Sequence, residues 1–178
     1  MKRVRAAIWL VLTLAVLAVW SGNVLAQGGF QVLTAEELKK ALPGDFYLEG
    51  NHIPTQPRNA SLVKTPAGAL AIFAGLDTTG YSSQIQQKYE GMLITEGNLS
   101  LCGTVISVGS YGFGYTKVPA TSNEDGKFFL YNQAGEKVAE CATKKDAEVK
   151  TPKPLQVVVS KDGGAARLYM GRYWLELK

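Results

Sequence analysis

Hydrophobic and polar residues alternate along most of the chain beyond residue 43, and this two-residue period indicates β-strands. The alternating segments are short, and residues that favour turns, chiefly Gly, Pro, Asn and Asp, separate them. We predict roughly nine or ten strands in a mainly β fold, an antiparallel barrel-like or sandwich domain. The candidate strands are Phe46–Glu49, Ser61–Lys64, Gly68–Leu76, Gly91–Thr95, Leu99–Val108, Tyr111–Val118, Lys127–Tyr131, Lys137–Thr143, Leu155–Lys161 and Ala165–Leu177.

Several of these strands are apolar on both faces, Leu99–Val108 and Leu168–Leu177 among them. A single open sheet would leave one of those faces in water, so the sheet must close on itself or pack against a second layer. We expect barrel-like closure. The segment Gly68–Leu76 is apolar throughout, and for it a buried helix is the alternative. Gly171 predicts a bulge or a bend in the last strand.

One or two short helices accompany the strands. Thr34-Ala35-Glu36-Glu37 has the spacing of a capping box, and Pro43-Gly44 ends the apolar pattern that follows it. Ser82 can cap a second helix, which would bring Ile85 and Tyr89 to one side. Both helices are too short to form the body of the domain, so we expect them to pack against the strands.

The N-terminus has the pattern of an export signal. Lys2, Arg3 and Arg5 precede an apolar run, Ala6–Trp20, and small residues then lead to Ala26. We therefore predict cleavage after this alanine, which leaves no stable membrane anchor. An uncut anchor is the alternative, but a spanning helix needs about 20 apolar residues and this run has roughly 15.

Removal of the signal changes the charge of the protein. Residues 1–26 hold three of the 19 basic residues and none of the 15 acidic ones, so residues 27–178 carry 16 basic and 15 acidic side chains. A net charge near +1 provides no electrostatic surface for nucleic acid, which we exclude as a partner. Residues 27–178 are predicted to form a single β-rich domain.

Two cysteines, Cys102 and Cys141, lie in this domain. In an oxidising compartment such a pair predicts a disulfide, and we place the protein outside the cytosol, secreted or periplasmic. A redox pair would need a short Cys-x-x-Cys spacing. His52 is the only histidine and we expect the two cysteines to be bridged, so no zinc ligand set of the usual kind can be assembled, and we predict neither a metal nor a cofactor.

The segment that contains Tyr111, Phe113 and Tyr115 is the most suggestive part of the domain, because glycines alternate with the three aromatic residues. One face of this strand is therefore aromatic and the other has no side chains. An aromatic wall of a binding cavity is the functional interpretation. Core packing, with rings from a neighbouring element covering the glycines, is the structural interpretation.

Tyr169, Tyr173 and Trp174 on the last strand are candidates to complete the same wall. Since no set of acid–base or metal-binding residues is evident, we favour a non-catalytic binding protein over an enzyme. Its ligand would be a small apolar or aromatic molecule, or a glycan.

Two other classes of function stay open. The first is a protein-interaction or inhibitor module of the cell envelope, which an exposed apolar patch or a free edge strand would favour. The second is a hydrolase that uses carboxylates. Asp45, Glu49, Asp77 and Glu90 are its candidate residues, and two of them would have to converge within about 5–10 Å.

Overall fold

Residues 28–116 and 126–178 are described by a computed structural model of the protein. The predicted signal, residues 1–26, and the end of the predicted strand at Val118 lie outside the described residues. The two helices are α1 (Ala35–Ala41) and α2 (Ser83–Lys88). The strands are β1 (Gln31–Val32), β2 (Asp45–Leu48), β3 (Asn51–Lys64), β4 (Leu70–Leu76), β5 (Gly91–Thr95), β6 (Leu99–Leu101), β7 (Thr104–Ile106), β8 (Gly109–Tyr115), β9 (Lys127–Tyr131), β10 (Lys137–Ala142), β11 (Lys144–Lys145), β12 (Gln156–Val159), β13 (Ala166–Met170) and β14 (Tyr173–Leu177).

The predicted mainly β, antiparallel fold is confirmed, and it takes the form of a sandwich. The larger sheet has the strand order β1-β3-β4-β5-β8-β9-β10, and β2 also pairs with β3. The smaller sheet has the order β12-β13-β14-β6-β7, and β11 also pairs with β14. In the described part of the chain neither sheet closes into a barrel, so the closure that we expected is replaced by a second layer.

The described residues contain more strands than predicted, because two tight turns divide predicted strands and because β1 and β11 were not predicted. The third strand also begins at Asn51, well before the predicted Ser61–Lys64. Leu99–Val108 is interrupted by Cys102 and Gly103, whose φ angles are 57° and 72°. Ala165–Leu177 is interrupted at Gly171, where φ is 65°. The predicted bulge or bend at this glycine is therefore a hairpin turn between β13 and β14.

One long hairpin, residues 91–115, belongs to both sheets. Its base is the pair β5 and β8 in the larger sheet, and its tip is the pair β6 and β7 in the smaller sheet. Residues 96–98 and 107–108 connect the two pairs and carry both chains across from one sheet to the other. The hairpin is therefore bent between its base and its tip, so that its two ends lie in different sheets of the sandwich.

A disulfide between Cys102 and Cys141 confirms the predicted pairing. Cys102 lies in the turn at the tip of the folded hairpin, and Cys141 lies in β10 at one edge of the larger sheet. The bridge thus joins the two sheets. Because it spans a sequence separation of 39 residues, it removes about 4 kcal/mol of conformational freedom from the unfolded chain.

The main hydrophobic core lies between the two sheets. The larger sheet contributes Phe73, Phe113 and Phe128, and the smaller sheet contributes Leu101 and Leu168, all at most 1% exposed. Alternate residues of each strand point into this core, as the pleat requires.

The larger sheet is also covered on its outer face. A second apolar cluster forms where the helices and the β2–β3 hairpin pack on β4 and β5, and it includes Leu48, Ile72, Ile85 and Met92. Burial on both faces explains why β4 is apolar throughout although it is a strand. The buried-helix alternative for residues 68–76 is therefore excluded.

Both predicted helices form with the predicted caps. The Thr34 hydroxyl accepts a hydrogen bond from the Glu37 amide, and the Glu37 carboxylate accepts one from the Thr34 amide, which completes the capping box. The Ser82 hydroxyl accepts a hydrogen bond from the amide of Ile85 at 3.3 Å. These caps satisfy amides that the first turn of a helix leaves without partners.

A half-buried ionic cluster around Glu49 joins three segments of the chain. The Lys88 ammonium donates to the Glu49 carboxylate and, at 2.7 Å, to the carbonyl of Gly135. The Tyr89 hydroxyl donates to the same carboxylate oxygen at 2.6 Å. Hydrogen bonds from Lys88 and Tyr89 hold the pKa of Glu49 below its usual value, and burial raises the pKa of Tyr89 far above its own. The cluster therefore joins the β2–β3 turn, the end of α2 and the β9–β10 turn.

We predict that Glu49→Gln lowers the free energy of unfolding by about 1–3 kcal/mol at pH 7, because the hydrogen bonds lose their charged acceptor. Since the pKa of Glu49 is lowered in the folded state, its contribution is complete above the unfolded pKa and is lost as the pH falls below about 4. Urea unfolding at pH 7 and pH 3 measures both effects. Glu148→Gln, at an exposed carboxylate, is the control; an equal loss for both variants would contradict the prediction.

Candidate functional site

The predicted aromatic wall on β8 lies against the main core. Phe113 is 1% exposed and packs against Phe128 with 5.4 Å between ring centroids. Tyr111 and Tyr115 are half-buried and contact the same core, and the Tyr111 hydroxyl donates to the carbonyl of Ser107 at 3.0 Å. The three rings thus share one face of the strand, as predicted, and that face is directed toward the smaller sheet.

The glycines of β8 receive neighbouring elements of the chain. A Cβ atom at Gly112 would lie 2.6 Å from the ring of Tyr89 and 2.8 Å from Leu48. A Cβ atom at Gly114 would lie 2.1 Å from the carbonyl oxygen of Lys88. The absence of side chains at both positions therefore allows the end of α2 to pack directly on the sheet.

Tyr173 and Trp174 lie on opposite faces of β14, because successive residues of a strand alternate. Tyr173 is buried, and its hydroxyl has no hydrogen-bond partner in the part of the chain that the structure describes. Trp174 is half-buried on the outer face, opposite Tyr169 of β13. The five predicted binding residues therefore do not line one common cavity.

Trp174 is held by cations from the strands on both sides. The guanidinium of Arg167 on β13 is 4.0 Å from the centre of a Trp174 ring, and the ammonium of Lys144 on β11 is 5.2 Å away. Next to them the Tyr169 hydroxyl, whose pKa is raised by burial, donates to Asp146 at 2.9 Å. Cation–π contacts of this kind fix the orientation of the indole ring.

A pocket of about 240 Å³ opens beside Trp174. It lies where β14 passes from its pairing with β11 to its pairing with β6. Its lining contains the indole ring, the disulfide, and both positively and negatively charged side chains. The residues are Ser100, Cys102, Gly103, Cys141, Ala142, Lys144, Trp174, Leu175, Glu176 and Lys178.

A smaller cavity of about 80 Å³ reaches the aromatic strand. Phe113 and Tyr115 line it, together with Glu90 and the polar side chains of Gln56 and Asn59. The amide of Asn59 donates to Gln56 at 2.7 Å, so the polar groups partly satisfy one another. This cavity has about a third of the volume of the pocket beside Trp174.

Three of the four carboxylates of the hydrolase hypothesis are engaged in separate local contacts, and the fourth, Glu90, lines the smaller cavity. Asp45 lies 3.6 Å from the imidazole of His52, and Glu49 is held in the ionic cluster. Asp77 accepts the amide of Thr79 at 3.1 Å, and hydrogen bonds from Thr79 hold its pKa below the usual value. In residues 28–116 and 126–178 no group of three or more His, Cys, Asp or Glu residues could hold a metal ion.

The fold and this pocket define a disulfide-linked β-sandwich with an aromatic, charged concavity on its smaller sheet. Comparison of the chain with protein-family models, with curated proteins and with solved structures finds no match. Neither helix of the described residues has the length and hydropathy to cross a bilayer.

The sequence named Trp174 as a candidate binding residue, and it did not predict the contacts of this ring with Lys144 and Arg167. The signal for Arg167 is its position two residues before Tyr169, which places both side chains on the outer face of β13. No comparable signal exists for Lys144, because its position beside the tryptophan depends on the pairing of β11 with β14.

We predict that Gly112→Ala lowers the free energy of unfolding by about 1–3 kcal/mol, because the added methyl group overlaps the ring of Tyr89. Gly44→Ala is the matched control, since its Cβ would meet nothing within 4 Å, and we expect a change within about 0.5 kcal/mol. Chemical denaturation of both variants measures the difference. Equal stabilities would show that α2 does not need this glycine to pack on β8.

Proposed function

We propose that the protein is a non-catalytic binding domain that works outside the cytosol and holds an acidic saccharide in the pocket beside Trp174. The observation that carries the proposal is the position of this indole ring, which is fixed between two cations at the mouth of a polar concavity. Among the predicted binding residues, Trp174 is the one that this pocket contains.

The pocket offers the contacts that a sugar ring requires. A pyranose ring presents C–H groups on its faces, which pack on an aromatic surface, and hydroxyl groups around its rim, which need donors and acceptors. A sugar that packs on Trp174 must displace one of the two cations from the ring, and Lys144 is the one that also lines the pocket. Ser100 and Glu176 supply a hydroxyl and a carboxylate.

The charges of the lining favour an acidic sugar over a neutral one. Lys178 forms an ion pair with Glu176 at 3.1 Å, which compensates the carboxylate. Lys144 adds a further positive charge beside the indole ring. A uronic acid would place its carboxylate near this ammonium group and its ring near the indole.

The extracytoplasmic location rests on two features. The N-terminal residues have the basic, apolar and small-residue pattern of an export signal. The disulfide between Cys102 and Cys141 is of the kind that persists in oxidising compartments.

We expect the purified protein to bind an oligouronate more tightly than the neutral oligosaccharide of the same length, as measured by titration calorimetry. Trp174→Ala should weaken binding of the oligouronate at least about tenfold, because the packing surface for the sugar is lost. Lys144→Gln should weaken it about two- to fivefold, as expected for a solvent-exposed ion pair.

Lys161→Gln is the control for charge, because this lysine lies in the β12–β13 turn outside the pocket. Tyr115→Ala tests the rival site on the aromatic strand. If Tyr115→Ala abolished binding and Trp174→Ala did not, the ligand would belong to the smaller cavity and the proposal would fail.

The edge of the smaller sheet favours a second candidate function, a protein-interaction module. Within the described residues β7 pairs with one strand, β6, and it ends the smaller sheet. Val105 and Val108 at this edge are 65% and 63% exposed. An extended segment of an envelope protein could add to such an edge as a further strand.

We expect Val105→Lys to abolish association with such a partner, because a lysine on an edge strand opposes strand addition. Val158→Lys, at an exposed valine of β12, is the matched control and should have no effect. Crosslinking in the native envelope with each variant measures the association. A partner that both variants retain would not be bound at β7.

A further inference from the structure

An apolar groove separates α1 from β3, on the opposite side of the larger sheet from the main core. Leu38, Leu42, Pro43 and Pro57 line it, and its volume is about 380 Å³. The groove exists because α1 is short and none of its residues is fully buried, so the helix rests on the sheet through half-buried leucines. Its volume falls within the range of about 300–1,000 Å³ that is typical of ligand pockets.

The polar atoms at the base of the groove are already paired within the chain. The Thr55 hydroxyl donates to the carbonyl of Pro43 at 2.6 Å, and the Thr55 amide donates to the carbonyl of Gly44 at 3.1 Å. A ligand in the groove therefore has no hydrogen bond to replace there, and an apolar chain can be buried without leaving a polar group unsatisfied.

Lys39 is the one charged residue among those that line the groove. It lies in the last turn of α1 and is exposed, so its ammonium group can meet a ligand at the rim while the apolar part lies against the leucines and prolines. An apolar groove with a single cation at its rim is complementary to a molecule with an alkyl chain and a terminal anion.

We propose that this groove binds an anionic amphiphile of the fatty-acid type, with its alkyl chain against Leu38 and Leu42 and its carboxylate at Lys39. The site is separate from the pocket beside Trp174, and the two share no lining residue. The proposal does not depend on the saccharide function, and each can fail without the other.

The first test uses octanoate, decanoate and dodecanoate below their micelle concentrations, titrated into the purified protein by calorimetry. Because each buried methylene strengthens binding, affinity should rise about fourfold per methylene until the groove is filled. Affinity that does not depend on chain length would overturn the proposal, since it would indicate binding of the carboxylate alone.

The second test separates the groove from nonspecific charge. Lys39→Glu should weaken dodecanoate binding at least about tenfold and leave dodecanol binding unchanged, because dodecanol carries no charge. Lys40→Glu is the matched control, since Lys40 is the next residue of α1 and does not line the groove. Equal losses in both variants would overturn the proposed position of the carboxylate.

The third test fills the groove. Ala35→Phe places a ring among the lining residues and should abolish dodecanoate and dodecanol binding, whereas Ala41→Phe, outside the lining, should not. Far-ultraviolet circular dichroism and the thermal midpoint establish that both variants fold. Trp174→Ala should keep full dodecanoate affinity. If Ala35→Phe instead dissociated a dimer and no variant bound an alkyl chain, the groove would belong to a second copy of the protein.

Discussion

The structure depends on the folded position of the hairpin formed by residues 91–115. Its base, β5 and β8, belongs to the larger sheet and its tip, β6 and β7, to the smaller one, so a single hairpin links the two sheets. Only in the folded position do Leu99, Leu101 and Ile106 of the tip enter the core that Phe113 of the base also lines. Each such side chain contributes about 1.5–3 kcal/mol on burial. The disulfide fixes the tip in this position, and the open face of the larger sheet is covered as a result.

The residue pattern predicted most of the strands, both helices and the need for a second layer, since these follow from local periodicity and capping. It missed the short strands β1 and β11 and the first ten residues of β3, where Pro54 and Pro57 interrupt the pattern. It did not predict the turn at the tip of the hairpin. A two-residue turn with positive φ at both positions normally contains Asn-Gly or Asp-Gly, whereas this one contains Cys102 and Gly103. The bridge to Cys141 holds the cysteine in a conformation that it rarely adopts. Because this turn was not predicted, the end of the hairpin was not predicted either, and the pattern did not distinguish a sandwich from a barrel.

In the candidate site too, the features that depend on neighbouring residues were predicted, and those that depend on contacts between distant segments were not. Alternation placed Tyr111, Phe113 and Tyr115 on one face, and the structure has them there. On the other face, Tyr89 and Leu48 cover Gly112 and the carbonyl of Lys88 covers Gly114, because the end of α2 packs on β8. The surroundings of Trp174 likewise arise from two strand pairings that bring Lys144 and Arg167 to one ring. Pairings between distant segments depend on the whole fold, and no single stretch of sequence contains them.

The ionic cluster at Glu49 has a consequence for how the molecule opens. Its members come from the β2–β3 turn, the end of α2 and the β9–β10 turn, and each contact joins residues at least 39 positions apart. Detachment of any one of these three segments breaks at least one hydrogen bond to Lys88 or Glu49. We therefore infer that the opening of any one segment weakens the attachment of the other two. Because the cluster contains Tyr89, whose ring packs on Gly112 of β8, we expect its opening to expose part of the outer face of the larger sheet to water.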